Sequence, residues 1–290
     1  MSVATLIPTR GSAVLPLLRR LRRDRRAVVS LAVLLLIIAA SLLAHWISPY
    51  SPTAQDVNNM LSPPSQSHWL GTDDLGRDTF TRLLYGASAS LYAAFLAVAV
   101  AVSLGVPVGM LAGYAGGWID DVISRVIDTM LSFPAIVLAI GVTGALGIGL
   151  TNAMIAVGIV FAPQLARLVR ARTLVVRQEL YVDAARCFGA PTAHILWRHV
   201  LPNAIQPVIV QVALLLAVSL LAEASLSFLG LGIQPPSVSW GAMLARAYLN
   251  MELAPEQMYP PGVAILVTAL AFNTLGESMR TMLDPTMKRR

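Results

Sequence analysis

The sequence predicts an all-α integral membrane protein of six transmembrane helices, and three observations lead there. Hydrophobic residues make up 56% of the 290-residue chain and charged residues 12%, with a mean hydropathy of +0.69. That leaves too little polar surface for a water-soluble domain. Apolar runs of spanning or near-spanning length recur along the chain, separated by polar segments. With the N-terminus inside, the Lys and Arg residues also sort to one side. Seven precede the first run, Arg125 follows the second, six lie in 167–203 and four follow the last, against Arg77, Arg82 and Arg246 on the other face. Such asymmetry places both termini and the 167–203 segment in the cytoplasm.

The elements follow in order. Residues 1–26 form a basic cytoplasmic tail whose seven arginines oppose only Asp24. Residues 27–47 form the first transmembrane helix. The run is too long for a signal peptide and no small-x-small cleavage site ends it, so it is expected to stay uncleaved. Residues 48–85 are a polar extracytoplasmic loop with prolines at 49, 52, 63 and 64. The helical core then runs over 86–280, and 281–290 are a cytoplasmic tail. Within that core the second span covers about 88–112. Gly105, Gly109 and Gly113 recur every four residues, which allows close helix approach, and Pro107 implies a kink. A short loop from Gly116 to Asp121 returns the chain. The third span, about 126–146, contains Pro134, and the fourth covers about 151–166 after a tight Gly147–Gly149 connection. The fifth span runs over about 204–229, residues 230–258 form a second outer loop, and the sixth span covers about 260–275.

Between the fourth and fifth spans lies an amphipathic stretch, 179–203, flanked by arginines. Glu179 to Phe188 reads as a short helix stopped by Gly189, a residue suited to a left-handed cap. Pro191 suits the first turn of a second short helix. Ile195, Leu196, Val200 and Leu201 give that helix an apolar stripe, with His194, Trp197, Arg198 and His199 interleaved. Pro202 closes the unit. From physics alone this helix–turn–helix elbow is either an ordinary interfacial loop or a docking element.

The spacing decides between them by resemblance. Asp183-Ala184-Ala185, three residues, Gly189, then Leu201-Pro202 resembles the cytoplasmic loop of permease subunits in binding-protein-dependent ABC importers. The family pattern has Glu at the position of Asp183 and Ile at that of His199; both replacements keep helical character. A second motif, Gly71-Thr72-Asp73-Asp74-Leu75-Gly76-Arg77-Asp78, followed by Arg82-Leu83-Leu84-Tyr85-Gly86, is similar to a segment typical of the dipeptide, oligopeptide and nickel importer permeases. Taken without the resemblance, that charged loop could pair internally, cap a helix or hold a metal, and His68 alone is a poor metal donor set. A third stretch, Glu223 to Gly232, is similar to a segment in which the family often carries an acid.

The resemblance implies a fold and a machine. The fold is a five-helix ABC importer permease core with an added N-terminal helix. The partners are a second permease, two ATPase subunits that carry ATP and Mg, an extracytoplasmic substrate-binding protein and the bilayer, with no nucleic acid. The chain itself is expected to bind no cofactor or metal and to sit in the bacterial cytoplasmic membrane. Asp183, Ala184, Ala185, Gly189, His194, Leu201 and Pro202 are the implied ATPase-coupling loop; Gly71 to Asp78 mark the subfamily. Peptides are the expected substrate, with nickel as the alternative and glutathione-like peptides and opines open.

The remaining residues are consistent with a subunit that borrows its motor. Lys288 is the only lysine, so no G-x-x-x-x-G-K-S/T phosphate loop exists. The histidines (His45, His68, His194, His199) lie at ends or in loops, and neither G-x-S-x-G nor H-E-x-x-H occurs, against an intramembrane hydrolase. His194 and His199, five apart, are poorly spaced to share a helical face. An ATP-independent channel or secondary transporter is the alternative class. It would be expected to show more intramembrane polar residues and an internal repeat. Glu223, deep in the fifth span, is expensive there and is expected either to line a cavity or to join helices. Asp128 has Arg125 at helical spacing. Cys187, the one cysteine, excludes an intrachain disulfide.

Overall fold

A computed structural model describes residues 24–283. The arginine-rich tail ahead of Asp24 and the tail from residue 284 lie outside the described residues, as do the expectations placed on them. The regular structure of the described residues is helical, with one isolated antiparallel bridge between Thr72 and Asp78.

Helix α1 (Arg25–Leu42) starts at Asp24, whose side chain accepts from the Arg26 N–H, and a short helix α2 (Ala44–Ile47) continues after a break at Leu43. Helix α3 (Thr79–Ala115) begins nine residues earlier than the sequence suggests, because Asp78 caps it through the Thr81 N–H at 2.7 Å. It passes Pro107 unbroken and ends at Gly116, φ +68°. Only Gly116 separates it from α4 (Gly117–Ser132), so the expected return loop is already helix.

The third span is not one continuous helix. α4 and α5 (Ala135–Leu146) meet at Phe133–Pro134 with a bend of 100°. Proline disfavours α geometry in the residue before it, and Phe133 is extended there at ψ 142°. With its 12 residues, α5 is only about 18 Å long, too short to cross alone. The pair still climbs the length of α6 (Leu150–Val176): Asp120 meets Arg170, Asp128 meets Arg167, Ala139 packs with Val157, and Gly147 lies by Asn152. Asp128 therefore pairs across helices with Arg167, where the sequence suggests Arg125. A charge pointing at the adjacent helix finds a partner that the local spacing does not show.

α3 and α6 form the centre. A Cβ placed on Gly105 would sit 2.7 Å from the Ala162 carbonyl, on Gly113 2.7 Å from Thr173 Cβ, and on Gly109 against the Ala166 carbonyl. The backbones touch, as small residues allow. The stripe is longer than three glycines: Ala93, Ala97 and Ala101 extend it at the same four-residue spacing, all buried. Around this pair pack α9 (Leu201–Phe228), α11 (Tyr259–Leu283) and, outermost, α1. α9 ends in a Schellman turn: the Leu231 N–H reaches the Leu226 carbonyl and Gly230, at φ +74°, reaches that of Ser227.

The second connecting segment is more than a loop. It carries α10 (Trp240–Leu249), whose Trp240 and Met243 are buried against α3, α9 and α11.

Candidate functional site

The elbow consists of α7 (Leu180–Cys187), α8 (Thr192–Ile195) and a wide π-type turn, Leu196–Val200, that leads directly into α9. Pro202 therefore sits in the first turn of α9 instead of closing a separate unit, and the apolar helix begins at Thr192. Gly189 has φ +73°, with its N–H on the Arg186 carbonyl at 2.9 Å and the Ala190 N–H on the Ala185 carbonyl at 3.0 Å. That is a Schellman cap, and it turns the chain between the two short helices.

The anchors of the elbow are apolar. Val182, Ile195 and Val200 are buried with Val106 and Met110 of α3, Leu165, Val169 and Val176 of α6, and Val208 of α9. Leu201 packs at the margin of the same cluster. Polar ties supplement them. Arg186 lies 5.2 Å over the Tyr114 ring and 3.2 Å from Asp183, and the Asn203 side chain donates to the Tyr181 hydroxyl at 3.1 Å. The Tyr114 hydroxyl raises the Arg186 pKa, and partial burial, followed by the Glu179 charge, raises that of Tyr181. His194 and His199 come together with ring centres 5.9 Å apart, contrary to their spacing on an α-helix. The π-type turn takes more residues per turn and brings positions five apart onto one side.

The exposed face of the elbow is where sequence reasoning is least complete. Asp183 and Ala184 are exposed and Ala185 is half-buried. Phe188 at 91% exposure, Leu180 at 85% and Trp197 at 67% also project from it. Large apolar side chains exposed on a polar surface mark a face that meets a protein or the membrane. One signal was available: Phe188, beside the capping glycine, has no place in an inward apolar stripe.

At the opposite end, the Gly71–Asp78 loop is a charged latch. Asp73 accepts from the Leu75 and Arg77 N–H groups at 2.9 and 3.0 Å and from Arg77 Nε at 2.7 Å, and lies 3.3 Å from Arg82 Nε. Asp74 takes Arg246 of α10 at 3.0 Å on both oxygens; Gln257 donates to the Thr72 carbonyl at 2.5 Å; Asp78 meets His68 at 3.0 Å. Gly71 and Gly76 hold φ of +73° and +69°. A Cβ on Gly76 would collide with the Asp56 backbone, so the tight turn requires glycine. In the same segment the Asn59 side chain, then the Asn58 N–H, lowers the pKa of Asp56.

Glu223 is 1% exposed. Its Oε1 accepts from Ser227 at 2.9 Å and from Ser239, the N-cap of α10, at 2.7 Å. A Cβ on Gly241 would fall 2.6 Å from Oε2. The Trp240 N–H donates to Ser90 of α3 at 2.9 Å, so one polar knot joins α3, α9 and α10. The side chain bridges helices and does not face an open cavity.

Residues 105–289 match the model of the binding-protein-dependent transport system inner membrane component. The chain belongs to this family. Residues 17–64 of the permease also match the N-terminal transmembrane domain of oligopeptide transport permease C. The glutathione transport system permease protein GsiD of Shigella flexneri is 46% identical over 271 residues, spanning 93% of this permease and 89% of the relative. The Escherichia coli protein of that name is 44% identical over the same share. Two structures of the MetNI methionine ABC transporter in inward-facing conformations share the fold, with TM-scores of 0.55 and 0.58 at 19% and 20% identity. They cover 69% and 70% of this permease and 96% and 97% of the solved chain. The chain is thus an ABC importer permease, a multi-pass transport subunit of the inner membrane.

Proposed function

We propose that this permease moves short peptides of the glutathione class into the cell, paired with a second permease and driven by two separate ATPase subunits. An extracytoplasmic binding protein delivers the substrate. The observation that carries the reading is the 44–46% identity to glutathione permeases over 93% of the chain. Nickel, the alternative suggested by the loop motif, falls behind on the same ground.

The elbow supports the coupling role. Phe188, Leu180 and Trp197 present an apolar docking face to the ATPase, while Val182, Ile195 and Val200 fix the elbow to α3, α6 and α9. ATP binding and hydrolysis move the elbow, and the helices packed on it expose the path alternately to each side. Substrate and nucleotide must bind the two states with different affinities for this to drive transport. The sorting of basic residues supports an elbow and both termini in the cytoplasm. Coexpression with the neighbouring permease, ATPases and binding protein, followed by reconstitution, tests the reading. ATP hydrolysis should rise with glutathione or short peptides and stay flat with nickel. Stimulation by nickel alone, or no copurifying ATPase, would overturn it.

A further inference from the structure

Two open grooves lie between α1 and α11, the least buried of the long helices. One, of about 440 Å³, is lined by Val29, Ser30 and Val33 of α1 and by Leu270 and Thr274 of α11, with Arg25 and Arg26 at its mouth. The other, of about 520 Å³, continues past Ile37 and Ser41 to Tyr259 and Trp240. Positions 26, 29, 30, 33, 37, 40 and 41 fall on one face of α1 at helical spacing, and Val267 borders both grooves. The two are therefore one seam, whose α1 wall rises about 22 Å from Arg26 to Ser41.

The charge at its mouth is one-sided. Arg25 and Arg26 are exposed, and neither guanidinium has an ion-pair partner among the described residues. Asp24, the adjacent acid, is engaged by Ser278 of α11 and by the Arg26 N–H at 3.0 Å, and only weakly by the Arg26 charge. Glu277, the other acid at this end among the described residues, lies 3.8 Å from Arg280. Two exposed arginines thus stand over an apolar slot whose rims, Val29 and Leu270, are exposed.

We propose that this seam binds an anionic phospholipid of the inner leaflet, with its phosphate between Arg25 and Arg26 and an acyl chain along Val29, Val33 and Leu270. Basic pockets between membrane helices on the cytoplasmic side suit such headgroups, and arginine can reach the interface while its stem stays on apolar surface. The placement rests on the proposed orientation, with the start of α1 at the cytoplasmic face.

The test is native mass spectrometry of the assembled importer, delipidated and then titrated with phosphatidylglycerol or phosphatidylcholine of matched chains. Wild type should retain phosphatidylglycerol preferentially. Arg25→Gln with Arg26→Gln should lower that preference about 30-fold, at roughly fivefold per arginine near an anionic headgroup. Val29→Trp with Thr274→Phe should fill the slot and abolish retention of both lipids, whereas Arg280→Gln should change little. The proposal is overturned by equal retention of the two lipids, by an equal effect of Arg280→Gln, or by a polypeptide in place of lipid on the seam. Should the filled variant fail to assemble, the arginine pair decides. Substrate-stimulated ATP hydrolysis of the same preparation reads the importer assignment separately: activity without lipid preference refutes the site alone, and preference without copurifying ATPase refutes the importer reading alone.

Discussion

Gly189 offers the sharpest test of the elbow, because its surroundings isolate one cause. Its φ is +73°, and a Cβ there would meet nothing within 4 Å. Gly189→Ala therefore brings no clash within the chain, only the left-handed penalty of about 1–2 kcal/mol. An energy of that size shifts a local equilibrium about 5- to 30-fold. The equilibrium at stake is the Schellman turn made by the Gly189 and Ala190 N–H groups. Loss of that turn frees the last residues of α7 and displaces Phe188, the most exposed large apolar residue of the elbow. Asparagine tolerates the left-handed region better than alanine, so Gly189→Asn should fall between glycine and alanine. Gly189→Arg adds a long cation beside Phe188 on the proposed docking face. Substrate-stimulated ATP hydrolysis and uptake in proteoliposomes should rank Gly above Asn above Ala above Arg, with membrane insertion and permease pairing unchanged. Equal activity of Ala and Asn would show that backbone strain is not the cause. Uptake by Gly189→Arg at the wild-type rate would remove the docking role.

Further outcomes follow from the elbow and from the packed helices. Cys187, the single cysteine and exposed on α7, gives a label for topology without mutation: an impermeant maleimide should modify it in inside-out vesicles stripped of ATPase, and not in right-side-out vesicles. Glu223→Ala should strand the Ser227 and Ser239 hydroxyls at a cost of about 1–3 kcal/mol, read as a lower midpoint of thermal unfolding in detergent. Gly241→Ala should be at least as damaging, because its Cβ would lie 2.7 Å from the Ala224 Cα, a backbone atom that cannot rotate away. Gly109→Ala should destabilise the α3–α6 pair by about 1–3 kcal/mol. Gly141→Ala, with nothing within 4 Å of the new methyl, should be neutral or stabilise by roughly 0.5–1 kcal/mol in the same assay.

What the sequence could show was set by whether the cause is local. Apolar length located the spans, and the cap chemistry of Gly189 located the elbow, because both depend on neighbouring residues. The 100° bend was half-legible: Pro134 signals a break, but whether the helix kinks or folds over depends on the α6 surface beneath it. α10 was missed because Trp240–Leu249 is short, and its burial comes from α3, α9 and α11. The pairing of Asp74 with Arg246, 172 residues apart, has no local signature. The marker loop could be recognised as unusual from its charges and glycines, yet its partner helix could not be named. The meeting of His194 and His199 failed for a narrower reason, since α-helical spacing was applied to a turn that is not α.

These placements bear on how an elbow movement would reach the far side of the membrane. α3 has 37 residues, about 55 Å of continuous helix. Near its C-terminal end, Val106 and Met110 share a core with Val182, Ile195 and Val200 of the elbow region. At its N-terminal end, Asp78 caps it, Arg82 joins the Asp73 cluster and Ser90 holds the Trp240 N–H of α10. From its middle to its C-terminal end, the stripe of Ala93, Ala97, Ala101, Gly105, Gly109 and Gly113 leaves little slack against α6, so the two helices resist sliding past each other. On the proposed coupling role, a push at the elbow would displace the α3–α6 slab, and the slab would carry the latch loop and α10 with it. The bent α4–α5 pair, with most of its apolar side chains exposed on this chain alone, would be the part to repack as the slab moves. On the proposed coupling role, rigidity is concentrated in the α3–α6 slab and compliance in the segment broken at Pro134.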